Sequence, residues 1–169
     1  MADLRSAPLP PVGADDHVRG PVDAPLVIEY ADFECPFCAV LHERLAGIEL
    51  RVVFRHFPVR SSHPRAWPAA CAAEAAGSQG AFWGMHDALF ADPARLEDPH
   101  LWQRAEALGL DLERFEAERR EDVLAARIQR DFDAAIRAGV VTTPTVFVEG
   151  VAYAGAPTPA LLERLATLS

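Results

Sequence analysis

The stretch Leu26-Val-Ile-Glu-Tyr-Ala-Asp-Phe-Glu-Cys-Pro-Phe-Cys38 carries most of what this chain says about its fold. Residues 26–31 are a short apolar run behind Pro25, and such a run bounded by turn formers reads as a buried strand. Residues 32–34 make a turn. Pro36 then falls where a helix can start, since the first helical residue needs no N–H partner. The helix should run to about Ala46 and stop at Gly47. Two cysteines spaced C-x-x-C therefore open a helix directly behind a buried strand. At a helix start the unsatisfied N–H groups and the dipole favour an anion, so Cys35 should lose its proton readily, and the thiolate is the nucleophile. Cys38 lies one turn on and deeper, close enough to attack a mixed disulfide formed at Cys35.

Outward from this point, residues 50–57 form a second strand closed by Pro58. The apolar period then changes from strand to helix for about 80 residues. An Ala-rich helix over 65–76 should stop at Gly77, and Ser78 should cap the next, whose apolar face is Phe82, Met85, Leu89 and Phe90. Asp98-Pro99 reads as a cap and first-turn proline for a helix ending near Gly109, and Asp111 starts a short one. Leu124, Ile128, Phe132 and Ile136 mark a longer helix by steps of four. Strands return at 145–148 and 151–153 as a hairpin across Glu149-Gly150, and Thr158-Pro159 starts a last helix. The order is β-α-β, a helical block, then β-β-α, an α/β chain whose helical block is inserted between two halves of a sheet. Residues 1–16 are expected to form a loose arm and 17–169 the domain, with the insertion at about 60–138.

Two further features bear on the chemistry. Glu29 lies in the middle of the first strand, six residues before Cys35. A charged, unpaired carboxylate there costs several kcal/mol, so its pKa should rise and it could exchange a proton with Cys38. The alternative is an edge strand that lets Glu29 reach water. In Val141-Thr-Thr-Pro-Thr-Val146 a proline stands directly before an apolar strand, where it removes a ladder donor. Either it is an ordinary strand-initial proline, or a cis Thr143–Pro144 bond leaves backbone free to pair with a peptide. A zinc site on Cys35 and Cys38 would need two more ligands; His42 could be a third, but no fourth is evident. Cys71, within an alanine run, reads as core filler, with a third redox cysteine as the alternative. His42, His56 and His63 read as surface or loop histidines.

Composition narrows the partners. The 169 residues carry a net charge of −9, which repels phosphate backbones and argues against nucleic acid and anionic membranes. Half the residues are hydrophobic, enough for a sizeable core, yet no apolar run is long enough to span a bilayer. All basic side chains other than histidine are arginine, which excludes lysine chemistry. Three cysteines are too few for a stapled secreted scaffold, and the N-terminus does not resemble a secretory signal. The expected location is the cytosol, unless a signal has been removed.

The strand–turn–C-x-x-C–helix, the late Thr143-Pro144 before a strand and the helical insertion together resemble the DsbA family of the thioredoxin superfamily. The run from Asp32 to Cys38, and Gln79-Gly-Ala-Phe-Trp-Gly-Met-His-Asp-Ala-Leu-Phe90, are similar to the DsbA-like branch sometimes fused to sodium/proton antiporters. The resemblance spans residues 16 to 169. It implies a thioredoxin-like fold with an all-helical insertion, and a thiol–disulfide oxidoreductase acting on protein or peptide thiols and disulfides, reset by an unidentified redox partner. It implies Cys35 as attacking cysteine, Cys38 as resolving cysteine and Glu29 as buried acid. Pro36, Phe37, Thr143 and Pro144 would meet the substrate, with Thr143–Pro144 as a cis-proline loop. No cofactor or metal is expected. DsbA-like oxidants often place histidine between the cysteines; Pro36 and Phe37 supply no charge, so a weaker oxidant than DsbA is expected. The rival reading is a thioredoxin-fold peptide-binding or chaperone module without turnover. Conjugation of a small thiol is less consistent with a paired C-x-x-C.

Overall fold

In the computed structural model, which describes residues 7–168, the run that opens the quoted stretch is the middle strand of a five-stranded sheet. The strands are β1 (His17–Arg19), β2 (Leu26–Ala31), β3 (Arg51–His56), β4 (Thr145–Val148) and β5 (Val151–Ala154), in the spatial order β1-β3-β2-β4-β5. β2 and β3 are parallel and joined by helix α1 (Pro36–Leu45); every other pairing is antiparallel. Because β2 is flanked on both sides, Glu29 sits opposite Phe54 of β3 and Val146 of β4. An edge position for Glu29 is thereby excluded.

β1 was not anticipated: three residues of His-Val-Arg carry no alternation long enough to read. It turns into β2 through Gly20, whose φ is 99° and where a Cβ would fall 2.0 Å from the Leu50 carbonyl oxygen. The β4–β5 hairpin forms as read, with Val148 opposite Val151 and left-handed backbone at Glu149 and Gly150.

Between β3 and β4 lie α2 (Ala66–Ser78), α3 (Phe82–Ala91), α4 (His100–Ala107), α5 (Leu112–Glu118) and α6 (Asp122–Arg137). Helix α7 (Pro159–Leu168) ends the described chain, and the Thr158 hydroxyl accepts from the Leu161 N–H at 3.3 Å. Among the described residues no helix is long and apolar enough to cross a membrane. The α2 face is nearly all alanine (Ala69, Ala72, Ala73 and Ala76 are fully buried), so it packs close against Phe54, Phe82, Met85 and Leu89.

Two boundaries differ from expectation. Helix α2 continues through Gly77, where a Cβ would lie only 3.4 Å from the Phe82 side chain; Gly77 serves close packing, and the chain turns at Gly80 with φ 78°. Ser78 consequently ends α2 and turns its hydroxyl back to the Glu74 carbonyl instead of capping α3. Pro99, not Asp98, occupies the cap position of α4, and the Asp98 carboxylate is free to pair with Arg119 at 2.6 Å.

The segment expected as a loose arm is tied down from Leu9 onward. Leu9 and Val12 pack beside Ile28 and Val53. Arg55 donates to the carbonyls of Pro10 and Pro11 and grips the Asp16 carboxylate at 2.8 and 2.9 Å. Residues 1–6 of that arm lie outside the described residues.

Candidate active site

Cys35 is the N-cap residue of α1, in extended backbone conformation, with Pro36 at the first helical position. No side chain caps this helix, so its first N–H groups are left for whatever lies at the Cys35 sulfur. The Cys35 thiol is 3 % exposed and donates to the Thr143 carbonyl at 3.4 Å; Cys38 behind it is fully buried. The Thr143–Pro144 bond is cis. Both cysteines are free thiols.

The two thiols have opposite electrostatics. The Cys38 side chain donating to the Cys35 sulfur holds Cys35 down at about 6, against burial, with help from Thr143 and the N–H groups of Cys38 and Phe37. Burial pushes Cys38 well above its ordinary value, and the Cys35 sulfur and Glu29 carboxylate push the same way. Burial also raises Glu29 to about 7, opposed only by Arg19. The Glu29 Oε1 has no hydrogen-bond partner. Its carboxyl lines a pocket of about 440 Å³, shared with Arg19, His42, Ile48 and Asp87, whose rim includes the exposed Ala46 and Glu49. A carboxyl inside the sheet thus keeps a route to solvent.

The turn ahead of Cys35 is anchored by contacts invisible in the sequence. The buried Asp32 carboxylate accepts from the N–H groups of Glu34 (2.8 Å) and Val59 (2.9 Å) and pairs with His63 Nδ1 at 2.7 Å. Glu34 accepts from the Arg65 N–H and its guanidinium, joining the turn to the start of the insertion. His63 is thereby a partner of the active-site turn. Around this site Phe37 (50 % exposed), Val40 and Val141 (83 % exposed) present apolar surface, and Pro36 is exposed beside them, whereas Thr143 and Pro144 are buried.

His56 is not a surface or loop histidine: it ends β3, fully buried, where strand pairing turns its ring into the core. There Glu74 Oε1 accepts from His56 Nε2 and from His17 Nε2, both at 2.7 Å, and Arg127 stands 3.2 Å from the other oxygen. This carboxylate, from the middle of the alanine helix, joins β1, β3, α2 and α6. Nothing in its alanine-rich context marked it out except that a lone charge inside a buried helix needs partners. His42 does not approach the cysteines as a zinc partner; its Nε2 is 3.6 Å from Asp87 Oδ1. Among the described residues no cluster of three metal-capable ligands includes Cys35 or Cys38. Cys71 is buried beside Ile128 and Trp67, and burial pushes its thiol up to about 11.

A parallel strand pair joined by a helix that opens on a C-x-x-C dithiol, with an antiparallel hairpin on the other side, defines a thioredoxin fold. A family model described as thioredoxin matches residues 13–166, and the chain belongs to that family. Among curated relatives it is 48 % identical over 152 residues to the Na(+)/H(+) antiporter NhaA 3 of Salinispora tropica, covering 86 % of this chain and 23 % of the relative. It is 43 % identical over 159 residues to the Na(+)/H(+) antiporter NhaA of Herminiimonas arsenicoxydans, covering 88 % of this chain and 25 % of the relative. The chain thus spans about a quarter of the length of these relatives. Among solved structures, a thioredoxin-like oxidoreductase from Silicibacter pomeroyi shares the fold with a TM-score of 0.80, 24 % identity and 92 % of each chain covered. BdbD from Bacillus subtilis does so at 0.76 and 19 % identity, over 96 % of this chain and 99 % of its own. The thiol-disulfide exchange protein alpha-DsbA2 of Wolbachia pipientis matches at 0.80 and 17 %, over 92 % of this chain and 88 % of its own. DsbA-like neighbours and NhaA-named relatives are the two sides of the resemblance read from the sequence.

Proposed function

We propose that the chain is a thiol–disulfide oxidoreductase that exchanges a Cys35–Cys38 dithiol for a disulfide with protein or peptide partners. The observation that carries this reading is the asymmetry of the pair: an ionisable thiol at the mouth of a helix, with a fully buried, reluctant thiol behind it. The Cys35 thiolate attacks one sulfur of a substrate disulfide; that S–S bond breaks, a mixed disulfide forms, and the departing substrate thiolate takes a proton. Cys38 then gives up its proton, attacks the Cys35 sulfur and expels the second substrate thiolate. The substrate gains two electrons and the pair becomes a disulfide; the reverse sequence oxidises a substrate. A separate redox partner must reset the pair. In this scheme Glu29 is the acceptor of the Cys38 proton, the exposed Pro36 and Phe37 meet the substrate, and Thr143–Pro144 supplies the backbone beside the reacting sulfur.

Equilibration with glutathione buffers, followed by alkylation and mass analysis, tests the proposal. A reversible Cys35–Cys38 disulfide should form with a potential between those of thioredoxin and DsbA, about −270 and −120 mV. The upper bound follows from the thiolate: at about 6, Cys35 is less stabilised than the DsbA thiolate at roughly 3.5. If no such disulfide forms, the proposal fails. In the reduced protein, alkylation of Cys35 should rise with a midpoint near pH 6, while Cys71 should resist modification until the protein unfolds.

Glu29→Gln should slow the resolving step roughly 100-fold or more near neutral pH, because a positioned general base contributes at least on that order, and should remove a rate inflection near pH 7. The same substitution should stabilise the fold at alkaline pH. Glu29 is raised in the folded state, so the fold favours its neutral form, and that contribution is lost as pH rises from about 4.5 through about 7. Above pH 8 the buried charge costs on the order of 3 kcal/mol, which glutamine removes; below pH 4 the two proteins should melt alike. Equal melting at pH 8.5 would count against a buried, unpaired Glu29.

A further inference from the structure

We propose that His42, His86 and Asp87 form a binding site for a borderline divalent cation of the Zn²⁺ type, joining the C-x-x-C helix to the helical insertion. One ligand atom from each of the three lies within 4.8 Å of the others. They come from two elements: His42 from α1, seven residues beyond Cys35, and His86 and Asp87 from α3. His86 Nδ1 is 2.8 Å and His42 Nε2 3.6 Å from Asp87 Oδ1, and the two imidazole centroids are 5.1 Å apart.

A second observation bears on the same cluster. His86 is buried, and its Nε2 has no hydrogen-bond partner. With its proton on Nδ1, where it serves Asp87, the ring leaves the Nε2 lone pair stranded among Phe33, Phe54, Trp83 and Phe90, whose centroids lie 4.8–5.8 Å away. A cation on Nδ1 moves the proton to Nε2. The stranded acceptor becomes an N–H donor within an aromatic surround, the Phe54 ring standing perpendicular to the imidazole with centroids 4.8 Å apart. Ligation thus gives both nitrogens a partner, which neither tautomer of the neutral metal-free ring achieves.

The cluster is also accessible. His42 and Asp87 line the same pocket of about 440 Å³ as Glu29, so an ion can enter and keep water on its open positions. Two imidazoles and one carboxylate suit Zn²⁺, Co²⁺ or Ni²⁺; Ca²⁺ and Mg²⁺ call for oxygen ligands throughout. Arg19 holds both Asp87 oxygens at 2.8 and 3.0 Å and lies over the Trp83 ring at 4.4 Å. Its guanidinium is therefore the competitor an incoming cation displaces from Oδ1, and that exchange should hold the affinity to a moderate value. The other histidine cluster, His17–His56–Glu74, is a weaker candidate, because Glu74 already accepts from both imidazoles and stands beside Arg127.

The test uses the full chain carrying Cys35→Ser, Cys38→Ser and Cys71→Ala, so that no thiol can hold the metal and no disulfide is needed. Zn²⁺ is titrated against a chromophoric chelator, with Ca²⁺ and Mg²⁺ as controls. One equivalent should bind, raise the melting temperature with the logarithm of the ratio of free ion to Kd, and lose roughly tenfold or more in affinity in His42→Ala and Asp87→Asn. His42 is half-buried, and its variant should melt like the parent without metal, which separates lost ligation from lost folding. Co²⁺ should give visible d–d bands in the parent and none in His42→Ala. The proposal is overturned if the parent binds no saturable equivalent, or if His42→Ala and Asp87→Asn bind as the parent does, an adventitious ion only. The readout is independent of disulfide exchange, so its failure leaves the proposed function standing, and the reverse holds as well.

Discussion

Cys35→Ser is expected to abolish disulfide exchange: reduction of insulin by dithiothreitol in the presence of the variant should run at the rate without protein. The loss should be roughly a thousandfold or more, because the variant removes the nucleophile itself and serine offers no thiolate at neutral pH. Cys38→Ser should behave differently. Its Cys35 can still attack, and without the resolving thiol the mixed disulfide should persist, visible as a covalent adduct that reductant releases. A peptide-binding or chaperone module without turnover predicts the opposite, namely that both variants act as wild type. The apolar surface of Phe37, Val40 and Val141 would serve either reading, so the cysteine variants, not peptide binding, decide between them.

The second large effect is on stability. Glu74→Gln should lower it by about 3–5 kcal/mol, the usual cost of breaking a buried charge cluster by removing one member. At about 2–4 °C per kcal/mol for a chain of this size, the melting temperature should fall by roughly 6–20 °C. Burial alone would push the Glu74 carboxyl up; hydrogen bonds from His17 and His56 outweigh it and hold the carboxyl far below its ordinary value. Its contribution is therefore complete above about 4.5 and is lost as pH falls towards the folded-state value. His17 works in the same direction. Burial lowers its pKa, so the fold favours the neutral ring and loses stability as pH drops below about 6.5. Acid should thus loosen the junction of β1, β3, α2 and α6 first, and the gap between wild type and Glu74→Gln should narrow below pH 4. A gap unchanged from pH 7 to pH 3.5 would show that the carboxylate's charge is not what holds the junction.

The parts of the site that could be read from the sequence are those in which function breaks a local rule. Glu29 is a charge inside an apolar strand, Pro144 a proline at the start of one, and Cys35-Pro-Phe-Cys38 a pair of thiols across a helix start. Each conflicts with its neighbours, and the conflict is visible within a dozen residues. The partners of these groups were not legible, because their pairing depends on tertiary packing. Asp32 meets His63 across 31 positions, His17 meets Glu74 across 57, and Arg19 meets Asp87 across 68. Helix periodicity located α2 and α3 but misjudged their junction. Gly77 and Gly80 look alike in sequence, and only the approach of Phe82 tells the packing glycine from the turning one. His56 was misread for a related reason: it closes the strand next to Pro58, and its burial comes from the insertion that covers it.

The contact between Cys35 and the Thr143 carbonyl has a consequence for the order in which the chain is made. The two residues are 108 positions apart, so at roughly 5–20 residues per second a ribosome finishes the dithiol some 5–20 s before it reaches the loop that faces it. During that interval Cys35 has its local partners, Cys38 and the N–H groups at the start of α1, but not the Thr143 contact that joins them in the folded chain. The surroundings of the dithiol are therefore completed late in synthesis, when the final hairpin docks beside β2.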